Sequence, residues 1–184
     1  MSKIAFIFPG QGAQKAGMGK DFYENSEAAR SFFDHAQEIL DFDLKEMCFG
    51  EHEELNLTEY TQPCMVSVCL AIVQELKKRG INPDITAGLS LGEYAAVAAA
   101  GGMNELDAIK LVRRRGILMQ NTVPTGEGAM AAVLGLDAKK IEEILESFEN
   151  VWIANYNCPG QIVITGLTNE VKQASLALKE AGAK

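Results

Sequence analysis

Three observations predict an α/β chain in two parts. A continuous apolar run, Ile4 to Phe8, ends at Pro9-Gly10, and helical patterns separate it from a second run, Ile85 to Leu89. Apolar strands alternating with helices indicate a buried parallel sheet. The second run closes on Gly88-Leu-Ser90-Leu-Gly92 and opens directly into an apolar helix, the layout of a sharp strand-to-helix turn. That layout gives the first part a hydrolase-like core with a nucleophile elbow. After Gly126 and Gly128 the pattern becomes strand, helix, strand, strand, helix. This is a split β-α-β unit lacking one strand at its end, and it reads as a small ferredoxin-like α+β subdomain. The expected organisation is residues 1–125 as a large α/β domain and residues 126–184 as the small subdomain without its last strand.

Ile4 to Phe8 is apolar at every position, as a strand buried on both faces requires. Gly10-Gln11-Gly12 and Gly17-Met18-Gly19 then form a glycine-rich loop. Ala28, Phe32, Ala36 and Ile39 recur at helical spacing, with Ser26 as N-cap. Residues 41–60 are acidic and expected to be irregular. Thr61 is placed to cap the next helix, with Pro63 in its first turn, an apolar body from Met65 to Leu76, and Gly80 as the stop. Pro83 leads into the second strand. The helix after Ser90 stops at Gly101-Gly102, and another is expected over 104–121, before Pro124. In the second part, strands are expected at 129–136, 151–154 and 161–165, and helices at 138–148 and 169–181. Asn155 to Gly160 is expected as the loop between the last two strands.

With 47% apolar and 23% charged residues, the 184-residue composition is that of a globular chain. Its 17 basic and 25 acidic side chains leave a net charge of -8, which argues against nonspecific nucleic-acid binding. Cys48, Cys64, Cys69 and Cys158 lack ligand-like spacing, so no metal site is expected, and Cys64 and Cys69 read as small core residues of a reduced protein. No apolar run is long enough for a signal peptide core or a bilayer span. The expectation is a soluble cytoplasmic protein with no membrane or nucleic-acid partner.

Gly88-x-Ser90-x-Gly92 is the pattern with the most chemistry in it. Its glycines allow a fold so sharp that a Cβ would clash, and Ser90 is left exposed at a helix N-terminus. There the helix dipole and the backbone N–H of Leu91 can stabilise an oxyanion. The Gly10-Gln11-Gly12 loop lacks a third glycine, since Lys15 stands in its place, so a dinucleotide fingerprint fails. It is either a tight turn or the neighbouring loop whose Gln11 N–H supplies the second oxyanion donor. Arg115 lies near the middle of a stripe formed by Ala108, Leu111, Val112, Leu118 and Met119 at about 100° per residue. It either pairs with an internal acid, snorkels to the edge, or holds a substrate carboxylate through two parallel hydrogen bonds. Arg113 and Arg114 read as a solvated helix face or, with Lys110, as a patch that docks an acidic partner. Neither histidine is a good base: His35 is expected at the core's edge, His52 in a solvated acidic loop, and none follows Ser90.

Taken together, Phe8-Pro-Gly-Gln-Gly12, Thr61-Gln-Pro63, Gly88-Leu-Ser-Leu-Gly-Glu-Tyr94, Arg115-Gly116 with Met119-Gln120, Gly128-Ala-Met-Ala131 and Asn155-Tyr-Asn-Cys-Pro-Gly-Gln161 resemble the malonyl-CoA:acyl carrier protein transacylases of fatty-acid synthesis. The resemblance implies an acyltransferase in which Ser90 takes malonyl from coenzyme A as an ester and passes it to the thiol of acyl carrier protein. It implies Arg115 as the partner of the malonyl carboxylate, Gln11 and Leu91 as oxyanion donors, and Gln62, Asn155 and Asn157 as substrate-binding positions near the substrate or coenzyme cleft. Malonyl-CoA is a substrate, and no cofactor is implied. Two departures stand out. Leu89 occupies the place where such proteins carry a histidine, which implies altered packing at the elbow. Family members also continue past the point corresponding to Lys184, and the catalytic histidine lies in that continuation. The resemblance thus implies an N-terminal portion, with residues 1–125 the N-terminal part of the large acyltransferase domain, that domain and the small subdomain both incomplete in this chain, and the histidine supplied by a missing segment or a second chain. The competing readings are a serine hydrolase, such as a thioesterase or lipase, and a noncatalytic fragment that binds carrier protein.

Overall fold

Strand β1, Ala5–Phe8, pairs in parallel with β2, Ile85–Gly88, in the register Ala5↔Ile85 through Phe8↔Gly88. The computed structural model describes residues 3–123 and 126–184, and the chain divides into two units, Met1–Thr122 and Val123–Lys184. Pro124 and the boundary expected after residue 125 lie outside the described residues. The fold is mixed α/β, with this parallel sheet in the first unit and an antiparallel sheet in the second. One face of the parallel sheet departs from expectation. Phe8 is buried and Phe6 packs on the core, but Ile7 is 78% and Ile85 62% exposed. Register explains the split, since Ala5, Ile7, Ile85 and Ala87 share one face and the helices of the described chain cover the other.

Between the strands run α1 (Lys20–Asn25), α2 (Glu27–Glu38), α3 (Leu44–Phe49), a 3-10 turn (Glu53–Asn56) and α4 (Thr58–Lys78). The Ser26 hydroxyl caps α2 as expected, accepting from the Ala29 N–H at 3.1 Å. Residues 41–60 are more ordered than their acidity implied, because Asp43 caps α3 by accepting from the Glu46 N–H at 2.9 Å. Helix α4 starts earlier than expected, with Leu57 as its N-cap and Thr61 inside it, where the Thr61 hydroxyl bonds back to the Leu55 and Leu57 carbonyls. Pro63 therefore sits beyond the first turn. Having no N–H, it leaves the Glu59 carbonyl without its helical partner, and Arg113 fills the gap by donating Nη1 at 2.8 Å. Gly80, at φ 76°, ends the helix in the left-handed conformation expected of it, with the Ile81 N–H bonded to Leu76.

Helices α5 (Leu91–Ala99) and α6 (Glu105–Thr122) follow β2. The inward face of α6 carries Ala108, Ile109, Val112 and Gly116, while Leu111, Leu118 and Met119 are exposed. The expected stripe is thus rotated. Gly116 sets the rotation, because a Cβ there would lie 2.7 Å from the Thr58 carbonyl oxygen of α4.

The second unit runs β3 (Gly128–Leu134), α7 (Ala138–Leu145), β4 (Val151–Cys158), β5 (Gln161–Leu167) and α8 (Thr168–Glu180), with antiparallel order β3-β5-β4. Its core gathers Val133, Ile141, Val151, Ile162, Ile164, Val171 and Leu178. This is the ferredoxin-like pattern read from the sequence. Asn155 to Cys158 belongs to β4 rather than to a loop, since register shifts after Ile153 and Tyr156 let the strand continue. Only Pro159-Gly160 turns the chain, with Gly160 at φ 80°.

Two outcomes follow for stability. A β-carbon on Gly88 would fall on the Gly92 carbonyl group and the Glu93 amide, which are backbone atoms that cannot give way. Gly88→Ala is expected to cost about 3 kcal/mol or more in chemical denaturation. In the first unit, the Ser26 hydroxyl donates to Glu75, and Ser26 and then Arg79 hold the Glu75 carboxyl below the ordinary glutamate range. A folded-state pKa below the unfolded one stabilises the fold fully above the unfolded value, and the contribution disappears as pH falls through the folded value. The stability gap between the native protein and Glu75→Gln should therefore narrow on going from pH 7 to below about 4, the ordinary glutamate range. A gap that widened in acid would contradict this assignment.

Candidate active site

The elbow is made by two backbone crossings. Gly88 lies against Gly92, and a Cβ on Gly92 would meet the carbonyl oxygens of Phe8 and Pro9. Strand β2 thus meets helix α5 beside the end of β1, with the Leu89 N–H bonded to the Phe8 carbonyl at 3.1 Å. Ser90 takes up the strain at φ 50° and ψ -98°, the one positive-φ residue other than glycine among the described residues. Such a conformation costs about 1–3 kcal/mol and persists where its surroundings enforce it. The result is an exposed hydroxyl at the N-terminus of α5, directly before buried Leu91.

Gly10 brings the neighbouring loop to the same point, because its Cβ position lies 2.9 Å from the Leu89 carbonyl oxygen. The loop is fastened by side chains. Gln11 Nε2 donates to Thr58 Oγ1 at 3.1 Å, and Gln11 Oε1 accepts from Gln62 Nε2 at 3.4 Å. The Gly12 N–H donates to Gln14 Oε1 at 2.8 Å, and Gln14 Nε2 donates to Asn56 Oδ1 at 3.0 Å. Among the described residues, the backbone N–H groups of Gln11 and Leu91 have no protein acceptor. Leu89, at the departure from the family pattern, is half-exposed with its side chain over Gly10.

Arg115 reaches this point from α6. Its Nη1 donates to Gln62 Oε1 at 2.9 Å, its Nη2 to Ser90 Oγ at 3.4 Å, and its guanidinium carbon lies 5.5 Å from the Tyr94 ring centroid. Gln62 is fully buried and also donates to the Met119 sulfur at 3.3 Å. Among the described residues no carboxylate pairs with Arg115, so neither the internal ion pair nor a side chain escaping to solvent describes it.

Arg113 behaves in the opposite way and corrects the solvated-face reading. Its side chain is 13% exposed, paired with Asp41 at 2.8 Å and Glu59 at 3.1 Å, and set over the rings of Phe42 and Tyr60. The Arg113 hydrogen bond holds the Asp41 carboxyl below its ordinary range. Two arginines two positions apart on a helix thus differ in kind: one neutralised, one not.

The structure brings together Ser90, Leu91, Gln11, Gln62 and Arg115. Asn155 and Asn157 lie exposed on β4 of the second unit, where Asn157 Nδ2 donates to Gln161 Oε1 at 3.4 Å. The histidines stand elsewhere. His35 is exposed on α2 rather than packed at the core's edge, and His52 is half-buried against Glu46 at 2.9 Å rather than free in solvent. Thr58 and Tyr94 escaped the sequence reading of the site. Tyr94 carried a usable signal, since it follows Ser90 by one helical turn and so faces the same side. Among the described residues no cluster of three metal-ligating side chains occurs, and no helix is long and apolar enough to cross a membrane.

The chain is similar in sequence and fold to known proteins. A protein of Bacillus subtilis (strain 168) named malonyl CoA-acyl carrier protein transacylase is 49% identical over 189 residues, covering all of this chain and 60% of that protein. One of the same name from Staphylococcus aureus (strain MSSA476) is 46% identical, with 61% of its length covered. The crystal structure of the transacylase from Clostridium perfringens superposes with a TM-score of 0.89 at 43% identity, over all of this chain and 59% of that one. A malonyl-transacylase in complex with a type II PKS acyl-carrier protein superposes with a TM-score of 0.91 at 40% identity, over all of this chain and 61% of that one. The chain therefore spans about 60% of the length of the curated relatives it matches. Residues 5–184 match the model of the acyl transferase domain, and the chain belongs to that family.

Proposed function

We propose that this chain carries the nucleophile and the carboxylate-binding half of a malonyl-CoA:acyl carrier protein transacylase. The observation that carries the reading is an arginine without a counter-ion, 3.4 Å from a strained, exposed serine. A half-buried guanidinium left without an acid is costly unless an anion completes it. Malonyl supplies such an anion, and a neutral-acyl hydrolase has no use for it.

In the proposed reaction Ser90 Oγ attacks the thioester carbonyl, forming a C–O bond. The oxyanion is received by the backbone N–H groups of Gln11 and Leu91, aided by the N-terminus of α5. Collapse breaks the C–S bond, and coenzyme A leaves as the thiol with the proton that Ser90 gave up. The phosphopantetheine thiol of acyl carrier protein then attacks the malonyl-serine ester by the reverse sequence. Arg115 holds the malonyl carboxylate in both halves, exchanging its long contact with Ser90 for a charge-assisted pair. Gln62 orients Arg115, and Asn155 and Asn157 are assigned to substrate contact on family likeness. The two units are read as part of a large acyltransferase domain and its small subdomain. A cytoplasmic location fits the four free cysteines.

No histidine among the described residues hydrogen-bonds Ser90, so the base is proposed to come from outside them. Lack of a general base lowers the rate by about 10²–10⁴-fold. The first test is release of coenzyme A from malonyl-CoA by the 184-residue protein: a slow first turnover, accelerated by added imidazole and abolished by Ser90→Ala. Release that survives Ser90→Ala would sink the nucleophile assignment. Selectivity provides the second test. Arg115→Ala should lower the malonyl-CoA over acetyl-CoA rate ratio by about 10-fold or more, the scale of a lost charged hydrogen bond. Gln62→Glu should have a similar effect by placing a carboxylate where Arg115 now finds a neutral amide. A ratio unchanged in both variants would leave a neutral-acyl hydrolase as the better account.

A further inference from the structure

Arg115 is held without being neutralised, and the manner of holding singles out one more residue. The Oε1 of Gln62 fixes one corner of the guanidinium at 2.9 Å. A planar cation held at one corner can still swing about that bond. The Tyr94 ring, 5.5 Å from the guanidinium carbon, is the second restraint, and the contact to Ser90 at 3.4 Å is too long to act as a third. An aromatic face attracts a cation through its quadrupole and contributes no counter-charge. It therefore fixes the plane of the fork while leaving the full positive charge for an incoming anion. Ser90 is the N-cap of α5 and Tyr94 lies in its first turn, so the nucleophile and the platform under the carboxylate binder are carried at the start of one rigid element. Among the described residues the Tyr94 hydroxyl has no hydrogen-bond partner, which leaves the ring face as the working part.

We propose that Tyr94 is a selectivity-determining positioning residue, whose ring face sets the plane of the Arg115 guanidinium so that acyl groups bearing a carboxylate are preferred over neutral ones. This rests on the carboxylate-binding role proposed for Arg115.

The test compares first-turnover release of coenzyme A from malonyl-CoA and acetyl-CoA at subsaturating concentration, with imidazole as added base, for the native protein, Tyr94→Phe, Tyr94→Leu and Arg115→Ala. Tyr94→Phe should keep the malonyl over acetyl ratio within about twofold, and Tyr94→Leu should lower it by about 3- to 30-fold, the range of a cation–π contact. Circular dichroism melting establishes that each variant is folded, and Tyr94→Met replaces the leucine variant if that one is not. A merely structural role would slow both substrates together and leave the ratio intact, which would overturn the proposal. So would an equal fall in the phenylalanine and leucine variants, which would assign the effect to the hydroxyl. A ratio that Arg115→Ala also leaves intact would overturn the carboxylate reading itself, whereas a ratio sensitive to Arg115 and indifferent to Tyr94→Leu would overturn the role of Tyr94 alone.

Discussion

The first unit is organised around one steric constraint, the absence of side chains where β2 crosses into α5. Gly88 and Gly92 touch backbone to backbone, and Gly92 also lies against the carbonyl oxygens that end β1. The serine, the helix terminus and the neighbouring loop all depend on this crossing. It forces Ser90 into a positive-φ conformation that lifts its hydroxyl out of the packed elements. It sets the first N–H groups of α5 beside that hydroxyl. It also leaves room for Gly10 to approach Leu89, which delivers the Gln11 loop to the same place. A methyl group at any of these contacts competes directly with main-chain atoms, which is why the geometry tolerates so little substitution.

A second organising choice is the contrast between Arg113 and Arg115. Both project from α6, and both are substantially desolvated. Arg113 is surrounded by Asp41, Glu59 and two aromatic rings, and it mends the hydrogen-bond gap that Pro63 opens in α4. It fastens α6 to α4 and to the Asp41 loop. Arg115 meets only neutral groups: an amide, a ring face and a hydroxyl. The same side chain is thus structural in one setting and available in the other. Gly116 sets the difference by letting α6 close on the start of α4, which turns Arg113 toward Glu59 and Arg115 toward Gln62.

Much of this was legible in the residues. Gly88-x-Ser90-x-Gly92 between an apolar run and a helix specifies its own geometry, because only glycine permits the crossing. Ser26, Gly80 and Gly101 marked helix ends through capping chemistry that acts locally. What stayed hidden was set by contacts distant in sequence. The start of α4 lies earlier than local chemistry indicates, because Thr61 has a good cap residue's chemistry yet uses its hydroxyl inside the helix. The inward face of α6 differs from its apolar stripe because a glycine, invisible to an apolar count, fixes the rotation. Arg113 has the local signature of a solvated residue, since its partners, Asp41 and Glu59, lie far back in the chain. Ile4 to Phe8 was apolar throughout, but composition does not say which elements lie on each face of a sheet. The strand nature of Asn155 to Cys158 depends on bulges that no periodicity reveals.

In the proposed reaction the acyl group attaches to Ser90 Oγ, so the most direct measurement is to find that attachment. The 184-residue protein is incubated with malonyl-CoA, quenched in acid, digested and mapped by tandem mass spectrometry. The prediction is a single malonyl ester on Ser90, its yield increased by imidazole. An ester on another hydroxyl, or a thioester on one of the cysteines with Ser90 unmodified, would contradict the account.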